Sequence, residues 1–371
     1  MKFSADRKSL SEVLSQIQGI ANRKTNLAIT SDVLIKASGS EVIIIANDLE
    51  TVFQGIYEAD IESDGIISIN ARKLFEIIRE YPDTTVPINE IENRWVEIGK
   101  GNILYHIVSS DYDNFPETPV IEDINFVEVD SASFKKMVEV SAMVGFGQDE
   151  KRIYVLGAYL EKITDETCPK LRMVSTDSRR LNAFDIDYQG DFNVNDETLL
   201  IPKKGISELA KFLNREGNVK IGVKDNHFIV RKENETIMIK LLDGEYPDYR
   251  RVINTEAMTP IEMDRSLFLM VMKRMSILSS DDYKSVLLNF KENELVVTIT
   301  NPEIGESKEE IFINYTGDSF ETAFNPRYFI DALNIIESTS VLVHVKDKKS
   351  PCIIKGVDDT KLICAIMAMS V

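Results

Sequence analysis

Cysteine and histidine are scarce in this chain of 371 residues, with three of each. The cysteines, of which no two form a Cys-X-X-Cys pair, are Cys168, Cys352 and Cys364. An odd and sparse set is typical of a reducing compartment, and we interpret all three as small buried hydrophobic side chains. The histidines lie far apart in strand-like runs, at His106, His227 and His344. We therefore expect no disulfide framework, no metal site and no histidine-based catalytic triad.

The chain also lacks the long apolar runs and glycine-rich loops that mark other protein classes. No stretch approaches the roughly 20 apolar residues of a membrane span, and the segment Met1–Arg7 contains no apolar signal-peptide core. No glycine-rich nucleotide-binding loop is visible. The content of 43% hydrophobic and 28% charged residues is typical of globular proteins. We predict a cytoplasmic protein that has no cofactor and does not associate with membranes.

An amphipathic helix after a short strand occurs three times, with apolar residues spaced by three, four and seven positions. The copies begin in Lys2–Leu10, Val127–Phe134 and Ile261–Phe268, and a Ser or Asp just ahead of each apolar run is predicted to be the helix N-cap. A strand that ends in a polar turn also occurs three times, in Ile43–Glu50, Leu171–Ser178 and Leu295–Pro302. Asp or Asn suits these turns because its side chain can accept a hydrogen bond from the backbone two residues on.

A strand followed by a second helix completes each copy. It recurs in Ile67–Leu74, Leu199–Ile206 and Thr322–Phe329, with Pro202 and Pro326 at positions that favour a helix start. Equivalent positions are 124 to 134 residues apart, as in the series Leu10, Phe134 and Phe268, the series Asp48, Asp177 and Asn301, and the series Arg72, Lys203 and Arg327. Three ordered features at a common step indicate an internal repeat.

The repeat predicts an α+β fold built from three tandem copies of one domain, each with two helices packed on antiparallel sheet. Short alternating runs such as Trp95–Ile98 and Phe228–Val230 are predicted to be antiparallel strands. The turn-rich stretches Phe115–Pro119 and Tyr246–Tyr249 lie beside the predicted boundaries. We therefore predict domains at residues 1–123, 124–252 and 253–371.

The net charge of −18 argues against nucleic-acid binding if the charge is spread evenly. It is not spread evenly. The six predicted helices, at roughly residues 5–20, 71–80, 131–144, 203–215, 264–278 and 327–337, hold 15 Lys and Arg against nine Asp and Glu, which leaves −24 on the rest of the chain. Either these helices simply present basic residues to solvent, or they share one surface that meets a polyanion through salt-sensitive phosphate contacts. No recognition-helix motif supports readout of base sequence.

Three units with their helices on one side suggest an arc, and two arcs joined head to tail close into a ring. A ring with a cationic lining can hold duplex DNA by encirclement, so that weak contacts suffice and sliding is permitted. The enzyme alternative is a nuclease that uses Asp48 and Asp177, but these are equivalent positions in separate domains and do not suit one shared active site. An acidic protein that mimics DNA is the other alternative; it explains the net charge but not the cationic helices.

Five segments carry a family resemblance: Thr176–Leu181, Tyr246–Val252, Asn301–Glu303, Phe324–Tyr328 and Met367–Val371. In these segments, and over essentially its whole length, the chain resembles the bacterial DNA sliding clamps, the beta subunits of the DNA polymerase III holoenzyme. The resemblance implies a non-catalytic processivity factor that forms a head-to-tail homodimeric ring with helices inside and sheets outside. The implied partners are double-stranded DNA, the alpha-type catalytic subunit of the replicative polymerase, the clamp loader, and other clamp-motif proteins of repair and translesion synthesis.

The resemblance also implies a pocket for short partner peptides, between the second and third domains. Its residues by position are Arg152, Tyr154, Val155, Thr176, Ser178, Arg179, Arg180, Leu181, Pro247, Val252, Asn325, Tyr328, Pro351, Met367 and Met369. The apolar members offer adaptable surface, and Arg152 and Arg180 are expected to pair with polar or acidic peptide groups. The chain departs from the family at Ser178-Arg179, where Gly-His is common, and at its Met-Ala-Met-Ser-Val terminus, where Met-Pro-Met-Arg-Leu is common.

Two further sets of residues follow from the resemblance. The residues expected to face DNA are Arg23, Lys24, Arg72, Lys135, Lys136, Lys203, Lys204, Lys273 and Arg274. The dimer seam is expected to join Ile277 and Leu278 of one subunit to Tyr105 and Ile107 of the other, although the same four residues also suit an ordinary core.

Overall fold

The computed structural model describes residues 1–21, 28–119, 122–145, 152–164, 169–192, 198–213, 216–256, 258–280 and 283–369. The predictions made for Arg23, Lys24 and Cys168 lie outside these residues. The described residues form eight α-helices, which are α1 (Arg7–Gln16), α2 (Gln18–Ala21), α3 (Ala71–Glu80), α4 (Ser131–Ala142), α5 (Lys203–Phe212), α6 (Arg250–Ile253), α7 (Arg265–Ser276) and α8 (Pro326–Ile335).

The strands of the described residues follow the predicted repeat. They are β1 (Lys2–Asp6), β2 (Asp32–Ser38), β3 (Glu41–Asn47), β4 (Thr51–Glu58), β5 (Asp60–Ser63), β6 (Gly65–Asn70), β7 (Thr85–Glu90), β8 (Trp95–Lys100), β9 (Ile103–Val108), β10 (Val127–Asp130), β11 (Gly157–Thr164), β12 (Pro169–Thr176), β13 (Arg180–Asp187), β14 (Leu199–Pro202), β15 (Asn218–Lys224), β16 (His227–Lys232), β17 (Glu235–Lys240), β18 (Pro260–Asp264), β19 (Val286–Lys291), β20 (Glu294–Asn301), β21 (Gly305–Phe312), β22 (Phe320–Phe324), β23 (Ser340–His344), β24 (Cys352–Gly356) and β25 (Leu362–Ile366).

The first helix of each repeat begins with the same cap. The carboxylate of Asp6 accepts a hydrogen bond from the Ser9 backbone N–H at 2.8 Å, Asp130 accepts one from Ser133 at 2.8 Å, and Asp264 accepts one from Leu267 at 2.7 Å. Each cap satisfies a backbone donor that the helix itself leaves unpaired. The predicted N-caps are therefore confirmed where Asp was proposed.

Equivalent apolar side chains of these helices are buried. Leu10 in α1, Phe134 in α4 and Phe268 in α7 are 4%, 0% and 1% exposed. Their shared position in the repeat places each of them in a core beneath its helix. The predicted helical spacing is confirmed in all three copies.

The strands pair into four antiparallel sheets with the orders β5-β1-β7-β8-β9, β10-β15-β16-β17-β4-β3-β2-β6, β14-β11-β12-β13-β25-β24-β23-β18, and β21-β20-β19-β22. The two eight-stranded sheets each combine strands of successive repeats. Ile237 of β17 pairs with Phe53 of β4, and Leu181 of β13 pairs with Ala365 of β25. Strand pairing therefore joins the first repeat to the second, and the second to the third.

The chain divides into two compact units, one comprising Met1–Lys135, Tyr188–Glu197 and Lys204–Leu241, and the other Lys136–Asp187, Thr198–Lys203 and Leu242–Val371. We call them unit 1 and unit 2. Each unit contains one eight-stranded sheet and one smaller sheet. The predicted domain boundaries near residues 123 and 253 stay a prediction. Among the described residues, no helix is both long enough and apolar enough to cross a membrane.

Candidate functional site

The turn between β12 and β13 holds four of the predicted pocket residues in a fixed backbone conformation. The Asp177 carboxylate accepts hydrogen bonds from the backbone N–H groups of Arg179 and Arg180, both at 2.9 Å. The Thr176 hydroxyl donates to the Arg180 carbonyl at 2.7 Å and accepts from the Ser178 N–H at 3.0 Å. Ser178 has a φ of 72°, which favours glycine. The polar turn predicted here is confirmed, and it presents Ser178 and Arg179 to solvent.

The guanidinium of Arg180 is surrounded by acceptors of its own unit. It contacts the carboxylate of Asp331 in α8, lies 3.2 Å from the Asp177 carboxylate, and donates to the carbonyls of Met143 and Val144 at 3.1 and 2.8 Å. The side chain is only 14% exposed. Arg180 was expected to pair with groups of a partner peptide, but its donors are already used within the protein. These contacts hold the guanidinium in place, and its pairing with a partner peptide stays a prediction.

Arg152 and Tyr154 lie close to the same turn. The Arg152 guanidinium donates to the Ser178 hydroxyl at 3.0 Å. The Tyr154 ring packs edge-on against Tyr246, with 6.2 Å between ring centres. Val155, at the end of the short 3-10 helix Ile153–Val155, is 1% exposed. Val155 therefore supports the site from below, whereas Arg152 is open to solvent.

A tyrosine cluster beside the turn escaped the sequence prediction. The Tyr246 ring stacks on Tyr159 with 4.8 Å between centres and packs edge-on against Tyr249 at 6.2 Å. Burial raises the pKa of the Tyr246 hydroxyl, so this group stays neutral. The hydroxyl of Tyr249 donates to the Glu161 carboxylate, which Arg250 also contacts. The three-residue spacing of Tyr246 and Tyr249 was visible in the sequence, but their contacts with strand β11 were not.

Leu181 and Val252 belong to the apolar cluster beneath these tyrosines. Leu181 is 5% exposed and shares the cluster with Val174, Ile353 and Ala365, while the half-buried Val252 packs against it. Pro247 is exposed, and its carbonyl accepts a hydrogen bond from the Tyr249 N–H at 2.7 Å. Leu181 forms a floor, and Val252 and Pro247 lie nearer the surface.

The C-terminal segment runs past this turn. The Met367 N–H donates to the Arg179 carbonyl at 2.8 Å, and the Met367 side chain is 38% exposed. Further along, the Met369 N–H donates to the Ala323 carbonyl of β22 at 2.8 Å. A cavity of about 540 Å³ opens beside Met369, with lining residues that include Thr322 and Lys349. The backbone of this segment is therefore held by a hydrogen bond at each of the two methionines.

Helix α8 contributes Asn325 and Tyr328. The Asn325 side chain caps the helix by accepting from the Arg327 N–H at 3.0 Å, with Pro326 in the first turn as predicted. This cap orients the first turn, in which the Tyr328 ring lies against the Arg180 guanidinium. Pro351 is half-buried just before β24. The structure thus brings most of the predicted pocket residues together through contacts within unit 2.

The residues expected to face DNA differ in how exposed their side chains are. Lys273 is exposed in the last turn of α7, and Lys203 is exposed at the start of α5. Arg72 pairs with Glu76 at 2.9 Å, but both side chains are at least 36% exposed. Pairs that are this exposed contribute little and rearrange easily. The exposed charges of Lys273 and Arg72 therefore remain available to a polyanion.

Four other cations of that set are held by protein groups. The Lys135 ammonium donates to the Leu213 carbonyl at 2.8 Å, and Lys136 pairs with Glu337 at 2.9 Å. Arg274 forms two hydrogen bonds with Glu309, at 2.7 and 2.6 Å. Lys204 contacts the Asp48 carboxylate, whose side chain is fully buried. The structure thus gives Lys204 a structural partner that the sequence did not predict.

The four residues expected at the dimer seam lie at the surface of the described chain. Ile277 is 75% exposed and Tyr105 is 39% exposed, while Ile107 and Leu278 are half-buried. Tyr105 and Ile107 belong to β9, an edge strand of the five-stranded sheet. An edge strand carries unpaired backbone groups that can receive a further strand. An ordinary core position is excluded for Ile277 by its exposure.

The two carboxylates of the nuclease alternative have structural roles. Asp48, in unit 1, accepts hydrogen bonds from the backbone N–H groups of Glu50 and Thr51 at 3.1 and 2.8 Å as well as pairing with Lys204. Asp177, in unit 2, holds its own turn and Arg180. Within the described ranges, no cluster of three or more His, Cys, Asp or Glu side chains has the arrangement of a metal site. The contacts of Asp48 and Asp177 therefore give no support to a catalytic role for either carboxylate.

Comparison with known proteins matches the whole chain to one family. Three family models describe the DNA polymerase III beta subunit: its N-terminal domain matches residues 1–119, its central domain 128–248 and its C-terminal domain 250–370. The beta sliding clamp of Chlamydia pneumoniae is 27% identical over 369 residues, covering 100% of this chain and 99% of that protein. That of Haemophilus influenzae is 27% identical over 372 residues and covers 100% of both.

Solved structures agree with the sequence comparison. A crystal structure of the DNA polymerase sliding clamp from Pseudomonas aeruginosa superposes with a TM-score of 0.91 at 26% identity, covering 100% of both chains. The matched family is one of accessory proteins of DNA polymerase that act on DNA, not of enzymes. The chain therefore belongs to the DNA polymerase III beta subunit family, the sliding-clamp processivity factors.

Proposed function

We propose that two copies of this chain close head to tail into a ring that encircles duplex DNA without reading its sequence. The ring tethers the alpha-type catalytic subunit of the replicative polymerase, the clamp loader, and repair and translesion factors that carry a clamp-binding peptide. We further propose that the three repeats correspond to domains at residues 1–123, 124–252 and 253–371, and that the protein acts in the cytoplasm. Membership in the sliding-clamp family supports each part of this proposal.

The distribution of charge is the observation that best supports the proposed contact with DNA. The six long helices, α1, α3, α4, α5, α7 and α8, hold 14 Lys and Arg against six Asp and Glu, whereas the whole chain has a net charge of −18. Contacts of Lys and Arg with phosphate are independent of base sequence and weaken as salt rises. An acidic remainder repels the same polyanion, so the cationic helices are the part of the chain suited to face it.

We place the DNA contacts on the cations that are exposed or exchangeably paired. These are Arg72, Lys136, Lys203, Lys273 and Arg274, and we retain Arg23 and Lys24 from the sequence. Lys135 and Lys204 contribute less, since their ammonium groups already serve a backbone carbonyl and a buried carboxylate. The contacts in the structure thus distinguish among these basic residues, whereas their positions in the sequence do not.

We place the partner peptide on the surface formed by Arg152, Ser178, Arg179, Val252 and Met367. Leu181 and Val155 lie beneath it and Arg180 fixes its shape. An apolar peptide side chain would contact the Leu181 cluster, and an extended backbone would lie beside Met367. Tyr154, Thr176, Pro247, Asn325, Tyr328, Pro351 and Met369 complete the proposed pocket.

A loading experiment tests encirclement. The protein is loaded on nicked circular DNA with a clamp loader and ATP, freed from unbound protein by gel filtration, and the DNA is then cut once. A ring is expected to leave the linear DNA by sliding off its ends, and to remain when both ends are blocked by a bound protein. Equal retention on open and blocked linear DNA would refute encirclement, and metal-dependent strand cleavage would favour the nuclease alternative.

A further inference from the structure

A second cavity lies in unit 1, whereas every residue of the proposed pocket belongs to unit 2. It has a volume of about 730 Å³, and its apolar wall is formed by Phe3 and Ala5 of β1, Leu10 of α1, and Val42 and Ile44 of β3. Binding sites for small ligands and side chains usually have about 300–1,000 Å³ and mostly apolar walls. The cavity is therefore large enough to accept a side chain from another molecule.

The rim of this cavity is acidic. Glu41 and Glu58 both line it, and they are directly opposite each other in the register of β3 and β4. Like charges at directly opposed positions destabilise an antiparallel pair. Both side chains are exposed, and neither has a cation within 4.0 Å in the part of the chain that the structure describes. An added cation would therefore reduce the repulsion between these two carboxylates.

A third carboxylate, Asp6, stands on the α1 side of the rim. Hydrogen bonds from the backbone N–H and the hydroxyl of Ser9 lower the pKa of Asp6, so this group is ionised at neutral pH. Lys8 also acts on Asp6, but its side chain is 82% exposed and lies 3.9 Å from Glu12. The rim therefore stays net negative although one lysine is near.

Tyr57 fixes the far wall of the cavity. Its hydroxyl donates to the Glu235 carboxylate at 2.7 Å, and Glu235 in turn lies 3.0 Å from the Lys232 ammonium. The ring folds back over Gly55, where a β-carbon would lie 2.4 Å from the Tyr57 hydroxyl oxygen. The absence of a side chain at Gly55 thus permits the tyrosine position, and the wall is held from below by a paired carboxylate.

We propose that this cavity binds a basic, extended peptide segment of a partner protein, with one large apolar side chain in the cavity and flanking Lys or Arg residues on Glu41 and Glu58. The apolar wall supplies burial for one side chain, and the opposed glutamates favour positive charge next to it. The site shares no residue with the proposed partner pocket. It is thus an independent inference that does not rest on the ring or on DNA binding.

The test uses defined peptides and the full-length protein. The probe is acetyl-Lys-Arg-Leu-Lys-Arg-amide, and the matched control peptide carries Ser in place of Leu. Methyl NMR signals of Val42 and Ile44 report binding at the cavity, and titration gives the affinity. We expect these signals to shift with the Leu peptide and its affinity to exceed that of the Ser peptide by at least about tenfold, because the Leu side chain removes apolar surface from water when it enters the cavity.

Two variants of the protein make the result specific. Glu41→Gln with Glu58→Gln is expected to weaken binding of the Leu peptide about tenfold, whereas Glu292→Gln with Glu303→Gln removes the same charge at exposed positions of unit 2 and is expected to leave it unchanged. Ala59→Trp, which fills the half-exposed rim, is expected to abolish the Val42 and Ile44 shifts. The proposal is overturned if the Ser peptide binds as tightly as the Leu peptide, or if both double variants weaken binding equally.

Discussion

The guanidinium carbon of Arg180 lies 4.6 Å from the centre of the Tyr328 ring. The same guanidinium contacts Asp331 and Asp177 and donates to the carbonyls at the end of α4. One side chain therefore joins the β12–β13 turn, the first turns of α8 and the end of α4, which all belong to unit 2. Its removal leaves several acceptors without a donor at once.

We predict that Arg180→Ala destabilises the protein by about 2–4 kcal/mol, because it strands carboxylate and carbonyl acceptors that are partly buried. Arg179→Ala, which removes an exposed guanidinium one position away, should change stability by less than about 0.5 kcal/mol. Urea unfolding monitored by circular dichroism measures both. Similar unfolding midpoints for the two variants would contradict the proposal that Arg180 holds these elements together.

A second prediction concerns the buried pair of Lys204 and Asp48. Lys204→Met should cost about 3–5 kcal/mol, because it leaves the Asp48 carboxylate buried without its cation. Adding Asp48→Asn to Lys204→Met should recover part of that loss, whereas Lys273→Met, at an exposed position of α7, should have little effect on stability. Thermal unfolding of the native protein, Lys204→Met, Asp48→Asn and the double variant gives the coupling energy, and strictly additive effects would show that the two side chains do not interact.

Features that depend on neighbouring residues could be predicted from the sequence, whereas contacts between distant residues could not. Helices, caps and polar turns were predictable because each depends on residues within a few positions, such as Asp264 with Leu267. The partner of Lys204 was not, because Asp48 lies in another repeat and meets it only through strand pairing across repeats. The same holds for Tyr246, whose stacking on Tyr159 depends on the tertiary fold. Exposure of Ile277 likewise required the structure, since an apolar residue at a helix end suits a core or an interface equally.

A third prediction follows from the φ of 72° at Ser178. A residue with a side chain loses about 1–2 kcal/mol of stability when its backbone is in the left-handed conformation, and glycine avoids that cost. Loss of the exposed hydrogen bond from Arg152 offsets part of the gain. Ser178→Gly should therefore stabilise the protein by about 0.5–1 kcal/mol, measured by urea unfolding. Ser40→Gly, in the turn between β2 and β3 at a residue whose φ is not positive, should be neutral or destabilising. A gain of equal size there would contradict the backbone explanation.

A fourth prediction concerns pH. Burial, followed by the charge of Lys355, lowers the pKa of His344 below its ordinary value of 6.5, so the folded protein holds this imidazole neutral. The unfolded chain binds a proton at higher pH than the folded chain does, and stability therefore falls as the pH decreases below about 6.5. The loss ends once His344 is also protonated in the folded state. Its slope cannot exceed about 1.4 kcal/mol per pH unit.

Unfolding free energies at intervals between pH 7.5 and 5 test this for the native protein and for His344→Phe. The variant should lose the His344 contribution, so the stability of the native protein relative to the variant should fall as the pH decreases. Parallel curves for the native protein and His344→Phe would show that His344 does not cause the dependence.

The last prediction concerns the proposed dimer seam. Exposed apolar side chains that are buried on association stabilise a dimer by about 25 cal/mol per Å² of apolar surface. Ile277→Ala with Leu278→Ala removes such surface at the end of α7, where Ile277 is 75% exposed. Multi-angle light scattering across a dilution series should then show a larger monomer fraction than for the native chain. The control is Ile91→Ala with Val357→Ala, two residues that are 39% and 38% exposed and lie outside the proposed seam. An unchanged monomer fraction in the first variant, or an equal increase in the control, would contradict the prediction that Ile277 and Leu278 form part of the dimer seam.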